Sequence, residues 1–494
     1  MRGAWAHGKE APRATIYLRA AVGMLLLASI AWYGYAGVFL PLHATGYDFT
    51  GPYEAAYALA HHAKFLLYDV AQQRAFNHVV LHLPDGPSDF RWTPQTAALL
   101  VPLGYLPYAA AHMIWYLLSQ ITLFISLAII ARCLAAAWVP AATPRSELVR
   151  VTLAGFVVLL SFSAWSQPVT DSVRLGQSTP LLLFGFALLL FGEVFDRPVV
   201  AGCGLGLAIL IKLFPALLLV YFVYHRRYRL IGVTVGFTVV LTLLTLPMTG
   251  IDLYRQFIVA LQTYQVQPNA GPVNLSLYHA VIVGAAALLH LRHGEPTAGP
   301  LNLAAKCVCV VVFGCFLVAH EGSAPLPRRI RALIRLRMPP PVPPIINLAG
   351  SQERAVRRLG LTAWATCTVL LVEPVDWAFY YLLLLIPLAW LLAQLPVFAR
   401  RWHAAAGRTR HWLWLYVAAW CGYAVSTVPL PFDTRTAVPL SAAYVVGICI
   451  RPVALLLLWL SLWVSLGSSG ATSPSTVNVD AASTAISRSQ ASAH

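Results

Sequence analysis

The chain has 494 residues, of which 59% are apolar and only 11% charged, and its mean hydropathy is +0.69. A soluble globular domain carries about 25% charged residues, so an ordinary soluble enzyme is excluded and a polytopic membrane protein is indicated. The 34 basic against 18 acidic residues do not point to nucleic acid. They fall in short clusters between apolar runs, the distribution expected of cytoplasmic loops. The eight cysteines are scattered, nearly all in apolar runs, which predicts no disulfide framework, no zinc site and no cofactor held by them.

In chain order, the first span covers about Ile16–Leu40 behind Arg2, Lys9, Arg13 and Arg19. Residues 1–15 are therefore expected to be a cytoplasmic N-terminus, and the span a retained helix rather than a cleaved signal. A long outer loop, Pro41–Trp92, follows, then a short apolar stretch, Thr93–Leu106, at the interface. Pro107–Cys133 returns inward, Val149–Trp165 goes out and Thr179–Val194 comes back. Val199–Ile211 and Phe214–Tyr224 flank Lys212; each arm is too short to cross about 30 Å of hydrocarbon, so a re-entrant hairpin is expected, with a single kinked span as the alternative. Ile231–Met248 leads to a second outer loop, Thr249–Ser276, and Leu277–Leu291 is an interfacial helix. Ala304–Ala319 enters the cytoplasm at a basic loop, 320–358. Leu361–Val372, Phe379–Val397, Trp412–Leu430 and Ala437–Leu466 complete the membrane domain, 16–466. The Ser/Ala-rich tail 467–494 is predicted to be disordered.

This layout puts 23 lysines and arginines inside and seven outside, with four in spans or the tail. Eleven of the acidic residues, including Asp48, Glu54, Asp69, Asp171, Glu373 and Asp376, fall outside. Acidic residues contribute little to orientation, so their bias suggests an outer face that does chemistry. No convincing internal repeat is visible, which weighs against a transporter built from paired repeats.

Asp48 follows the first span by only a few residues, and a carboxylate against hydrocarbon and aromatic rings suits a general base; the alternative is a loop aspartate or helix cap. Lys212 is a lone charge in a long apolar stretch, either functional or snorkelling at a hairpin turn. Arg174 is a candidate phosphate ligand or the surface partner of Asp171. Arg91 is either a phosphate ligand or an interfacial anchor. Gln177 and Asn274 suit sugar hydroxyls or helix caps. Trp377, Tyr380 and Tyr381 would line a cleft or form an interfacial belt. His61, His62, His78 and His82 lack a convergent acidic partner pattern, so no metal is expected. Arg451, before Pro452 in the last span, has no assignment.

The segments Asp48-Phe49, Tyr53 with Ala55-Ala56, and Leu67-Tyr68-Asp69 resemble the first outer loop of glycosyltransferase family 87, polyprenyl-phosphate-dependent enzymes of the GT-C class. Phe90-Arg91-Trp92-Thr93-Pro94 and the run to Leu106-Pro107 are similar to that family's aromatic–proline motif. Leu175-Gly176-Gln177, Ala201-Gly202 through Gly206-Leu207 to Lys212, and Asn274-Leu275-Ser276-Leu277 match further positions in order, and Trp377 with Tyr380-Tyr381 resembles the late outer motif. Several positions depart from the family. Thr93-Pro94 stands where two prolines are common, Ser178-Thr179 follow Gly-Gln in place of an asparagine-containing run, Glu373–Trp377 replaces a serine–proline–serine–tryptophan type, and Phe379 stands where many members have histidine.

The resemblance implies an all-α GT-C-like bundle of about 10–12 transmembrane helices with a long first outer loop. It also implies a sugar donor on a polyprenyl phosphate, mannose first and arabinofuranose next, and a glycan or glycolipid acceptor arriving from the outer, periplasmic face of the plasma membrane. Transfer would be inverting, with Asp48 at the catalytic position. A lipid-linked sugar flippase is the rival reading.

Overall fold

In the computed structural model the described residues are 11–44, 46–63, 67–79, 82, 90, 92–266, 274–289, 298–319, 350–373, 378–404, 410–429 and 441–467. Their regular structure is all helical, which is how a chain in hydrocarbon satisfies its own backbone. Eight helices among them are long and apolar enough to cross a bilayer, and four shorter apolar helices accompany them. The all-α polytopic architecture expected from composition is therefore present. Arg91, Trp377, most of the basic loop (320–349) and the tail from 468 lie outside the described residues.

Helix α1 (Ala11–Tyr33) continues through a π-helical turn, Gly34–Phe39, into Leu40–His43. Where one long loop was expected, the chain forms α2 (Thr50–Ala60) and α3 (Val70–Val79), and the short apolar stretch becomes α4 (Pro94–Gly104). Then come α5 (Tyr108–Trp138), α6 (Arg145–Trp165), the short amphipathic α7 (Gln167–Arg174) and α8 (Thr179–Val194). Helices α9 (Pro198–Ile211) and α10 (Leu217–Tyr224) flank Lys212, followed by α11 (Tyr228–Val266) and α12 (Leu277–Leu288). Next are α13 (Ala298–Ala319) and α14 (Gly350–Val372). A 3-10 segment, Ala378–Leu384, leads into α15 (Leu385–Ala404), and α16 (Arg410–Thr427) and α17 (Ala442–Gly467) close the bundle. The centre is made by α14 and α15, whose most apolar windows are 78% and 83% buried, against 17% in α11 and α13 at the periphery.

The α9–α10 pair is a hairpin whose two ends return to one level. At the end of α8, Glu193 receives Arg227 and Arg358, each at 2.7 Å, and Arg227 also reaches Asp196 at 3.9 Å. Residues 193–198 and 225–227 thus meet, as the shortness of the two arms predicts. Glu193 is 8% exposed, and a carboxylate this buried is tolerable because two guanidinium groups share it. From that level α9 rises 14 residues, about 21 Å, so Lys212 stands well across the bundle, near the end that carries Asp48.

Small residues set how closely the hairpin packs, as in membrane bundles generally. A Cβ on Gly204 would lie 2.6 Å from the Gly185 carbonyl of α8, and one on Gly202 would lie 2.7 Å from Val233 of α11. The glycine-rich run before Lys212 is therefore the groove in which α8 and α11 lie.

Helix α11 departs from the expected span-then-loop. Beyond Pro247 it breaks at Gly250 (φ 67°, ψ 165°) and then continues as helix to Val266. Leu253, Phe257 and Ala260, spaced i, i+4, i+7, form a buried stripe, and Phe257 packs on Tyr68 at 5.4 Å between ring centroids. That stripe, interrupted by polar side chains, reads as a loop in sequence and becomes helical because α2–α4 give it something to cover.

Candidate active site

Two glycines bring the Asp48 loop against the turn before α8. Gly46 and Gly176 both have left-handed backbone (φ 60° and 72°). A Cβ at Gly46 would strike His112 Nε2 at 2.1 Å, and one at Gly176 would come 2.9 Å from Phe49 Cβ. With both positions open, the Asp48 amide donates to the Leu175 carbonyl at 2.8 Å and the Phe49 amide to the Gly46 carbonyl at 2.7 Å. Trp115 Nε1 donates to the Gly176 carbonyl at 2.8 Å, and the Tyr108 hydroxyl to the Gly46 carbonyl at 3.2 Å. The side chains then meet: Gln177 Nε2 donates to Asp48 Oδ2 at 2.5 Å, a short charge-assisted contact that fixes the carboxylate. Asp48 stays partly exposed while Phe49 is fully buried beneath it. Two candidates 129 positions apart in sequence are thus joined.

Lys212 sits where α9 ends. Its backbone is extended (φ −143°, ψ 141°), so the helix stops and the Leu210 carbonyl loses its helical partner. Thr93 and Thr96, at the start of α4, both donate their hydroxyls to that carbonyl at 2.7 Å. Thr93 therefore supplies a bond that a proline at this position would lack. The Lys212 ammonium lies 5.6 Å from the Trp92 ring centroid and 5.5 Å from that of Tyr380, a cation–π clasp. Tyr380 is buried in the 3-10 segment, which the Ser172 hydroxyl of α7 reaches at the Phe379 carbonyl, 3.3 Å.

A row of rings joins the two halves. Phe49 stacks on Trp115 at 5.4 Å, Trp115 meets Trp92 at 5.8 Å, and Trp92 faces Lys212. Asp48 with Gln177 at one end and Lys212 with Tyr380 at the other thus share one aromatic wall.

The remaining candidates separate. Arg174 is half exposed and pairs with Asp171 at 3.4 Å, its simpler reading. Asn274 is buried and accepts the Ser276 amide at 3.1 Å, while Ser276 caps α12 through the His279 amide at 3.1 Å. Tyr381 donates to the Leu275 carbonyl at 3.3 Å, which ties this turn to the 3-10 segment. Asp69 caps α3 through the amides of Ala71 and Gln72, and the buried Glu54 accepts from Asn77 at 3.1 Å. Arg451 is buried and donates to Gln167 at 2.5 Å and to the Val428 carbonyl at 3.3 Å, so it fastens α17 to α7 and to the end of α16. Among the described residues, no cluster of three or more His, Cys, Asp or Glu side chains stands ready for a metal.

Two residues went unnoticed as site members in the sequence. His112 lies parallel to Tyr108 at 6.0 Å and borders the Asp48 loop. Glu373, at the end of α14, lies near enough for Lys212 to act on its carboxyl, which burial pushes up to about 7 while Lys212 pulls it down. The available signal for Glu373 was an acid directly after a long apolar helix, at a departure from the family motif.

The sequence model of glycosyltransferase family 87 matches residues 90–336, half of the chain. The chain belongs to glycosyltransferase family 87. No curated protein and no solved structure matches it. The family 87 match holds Trp92, Thr93, Gln177, Lys212 and Asn274, which includes one member of each half of the site. A multi-pass membrane glycosyltransferase follows, with a sugar donor and an acceptor as its substrates.

Proposed function

We propose that this family 87 enzyme moves a sugar, mannose in the first instance, from a polyprenyl-phosphate donor to a glycan or glycolipid acceptor at the outer face of the plasma membrane. Transfer inverts the anomeric centre, so one base on the acceptor suffices and no second carboxylate nucleophile is needed. Asp48 is that base, oriented by Gln177. Lys212 neutralises the departing lipid phosphate, and Trp92 and Tyr380 hold its ammonium toward the site. Arg174 stands as an outer contribution to phosphate attraction, and Arg91, Trp377 and Asn274 as further donor contacts.

One observation carries the reading: a fixed carboxylate and a clasped lysine share one aromatic wall, with Lys212 at the apex of a hairpin inside the bundle. The carboxylate suits acceptor water-side chemistry, and a cation inside the apolar bundle suits a headgroup entering sideways from lipid. The test is purified enzyme with radiolabelled polyprenyl-phosphate-mannose and a membrane glycan extract. Loss of donor label with gain of a larger labelled glycan supports the proposal; donor recovered intact but moved between vesicle leaflets would make the protein a flippase.

A further inference from the structure

Ser178 and Thr179 follow Gln177 directly, and the proposed transfer gives them no task. They begin α8: Ser178 is the residue before its first turn, without a side-chain cap bond, and Thr179 is its first helical residue. Both are 1% exposed, and among the described residues neither hydroxyl has a hydrogen-bond partner. A buried hydroxyl left unpaired is costly and uncommon. The terminus adds donors of its own, because the first-turn amides of Thr179 and Leu181 have no carbonyl behind them in the helix. Pro180 has no amide hydrogen to offer, and the Leu182 amide already donates to the Ser178 carbonyl at 3.0 Å.

This terminus lies in the site. Gln177, one residue earlier, holds Asp48, and Leu181 packs against the cluster that contains Phe49, Trp92 and Trp115. Helices α8 and α9 run antiparallel: a Cβ on Gly185 would lie 2.8 Å from the Gly204 carbonyl and 3.1 Å from the Ala208 amide, while Gly192 lies against Ala201. From that contact seven residues lead back from Gly185 to Ser178, and eight lead on from Gly204 to Lys212, about 10–12 Å in each helix. The α8 terminus and Lys212 therefore stand at one level.

We propose that the N-terminus of α8, with the Ser178 and Thr179 hydroxyls, is the seat of the donor's phosphate, whose charge Lys212 balances from the facing helix. The inference rests on the reading that the donor is a polyprenyl phosphate. A helix N-terminus carries partial positive charge and presents amides to an anion. Each hydroxyl can donate to a phosphate oxygen, a charge-assisted bond stronger than one to a neutral acceptor. Phosphate thus satisfies both buried hydroxyls, which no group among the described residues does. The sugar then extends from this seat toward Asp48, which Gln177 holds one residue before Ser178.

The test measures binding of farnesyl phosphate, a short polyprenyl phosphate, to the full chain in detergent micelles, with farnesol as the uncharged control and a thermal melt without ligand. Ser178→Ala/Thr179→Val should bind farnesyl phosphate at least about tenfold more weakly than the natural chain, with farnesol unchanged. Its melting temperature should be equal or higher, since the change removes two unpaired buried hydroxyls. A purely structural pair would do the reverse, lowering the melt and leaving affinity intact. Thr179→Ser, which keeps a hydroxyl, should lose less affinity than Thr179→Val. Should the double variant not fold, Ser178→Ala and Thr179→Val singly are read the same way, each at about threefold or more. Unchanged farnesyl phosphate binding in the folded variants, with Lys212→Met still impaired, overturns the seat on α8 and leaves the polyprenyl-phosphate reading standing; the hydroxyls would then meet water or the sugar instead. Equal loss of farnesol binding overturns it as well, since the contact would be with the lipid tail. A natural chain that binds farnesyl phosphate no better than farnesol overturns both.

Discussion

Asp48→Asn separates the base from its surroundings at the scale of one residue. The amide keeps the shape of the carboxylate and can still accept from Gln177, but it cannot take the acceptor's proton. Turnover should fall about 10²–10⁴-fold, the usual worth of a positioned base, while donor affinity and melting temperature stay near those of the natural chain. Single-turnover transfer alongside donor binding reads both, and activity within a few-fold of natural removes Asp48 from the role. The alternatives, Glu54 and Asp69, are engaged with Asn77 and with the start of α3, so neither is poised to replace it. At this scale the sequence makes Asp48, Gln177, Lys212 and Tyr380 visible one at a time, as polar or aromatic groups where apolar ones predominate. Their pairing is invisible there. Gln177 meets Asp48 across 129 positions, and Tyr380 faces Lys212 across 168 positions. Local periodicity carries no information about such meetings, since tertiary packing decides them. The same reason hides the partners of Arg451, Gln167 and Val428.

Among the elements, the hairpin α9–α10 decides whether the site exists, because its apex carries Lys212. Its arms were legible from length alone, since 14 and 8 helical residues fall short of a bilayer's thickness at about 1.5 Å each. The continuation of α11 past Gly250 was not, because its buried stripe of Leu253, Phe257 and Ala260 is broken by polar residues that suit a loop equally well. The glycines of α9 give a sharp test of the packing. Gly204→Val would drive its Cβ to 2.6 Å from the Gly185 carbonyl and 2.7 Å from the Leu189 amide, both backbone atoms that cannot swing away. Forced separation of α8 and α9 should cost about 1–3 kcal/mol and should displace Lys212 from Trp92 and Tyr380. Gly236→Ala on α11 meets nothing within 4 Å and should be neutral or gain about 0.5–1 kcal/mol from helix propensity. Melting temperatures in a single detergent check the pair; equal melting points would mean that α8 and α9 are not held together by that close approach.

For the whole molecule, composition suffices to establish a helical membrane bundle, but the side on which the site opens depends on orientation. The structure separates two ends. Helix α8 joins them, running 16 residues, about 24 Å, from the turn at Gln177 to Glu193 with its two arginines. The end with Glu193, Arg227 and Arg358 belongs to the segments rich in lysine and arginine, of which 23 fall on one side of the layout and seven on the other. That excess sets orientation through the cost of moving basic loops across the membrane. We therefore expect the Glu193 end in the cytoplasm and the Asp48 end outside, where an acceptor glycan would arrive. Single cysteines in a cysteine-free background decide it: Ala75→Cys on the exposed side of α3, beside the Asp48 end, and Glu353→Cys in the exposed first turn of α14, near Arg358. In intact cells, a membrane-impermeant maleimide should label the first at once and the second only after permeabilisation. The reverse order would turn the site toward the cytoplasm, and the acceptor would then have to be a lipid-linked glycan under assembly there. Equal labelling of both in intact cells would mean that the two ends do not lie on opposite sides of the membrane, and the hairpin carrying Lys212 would have to be placed anew.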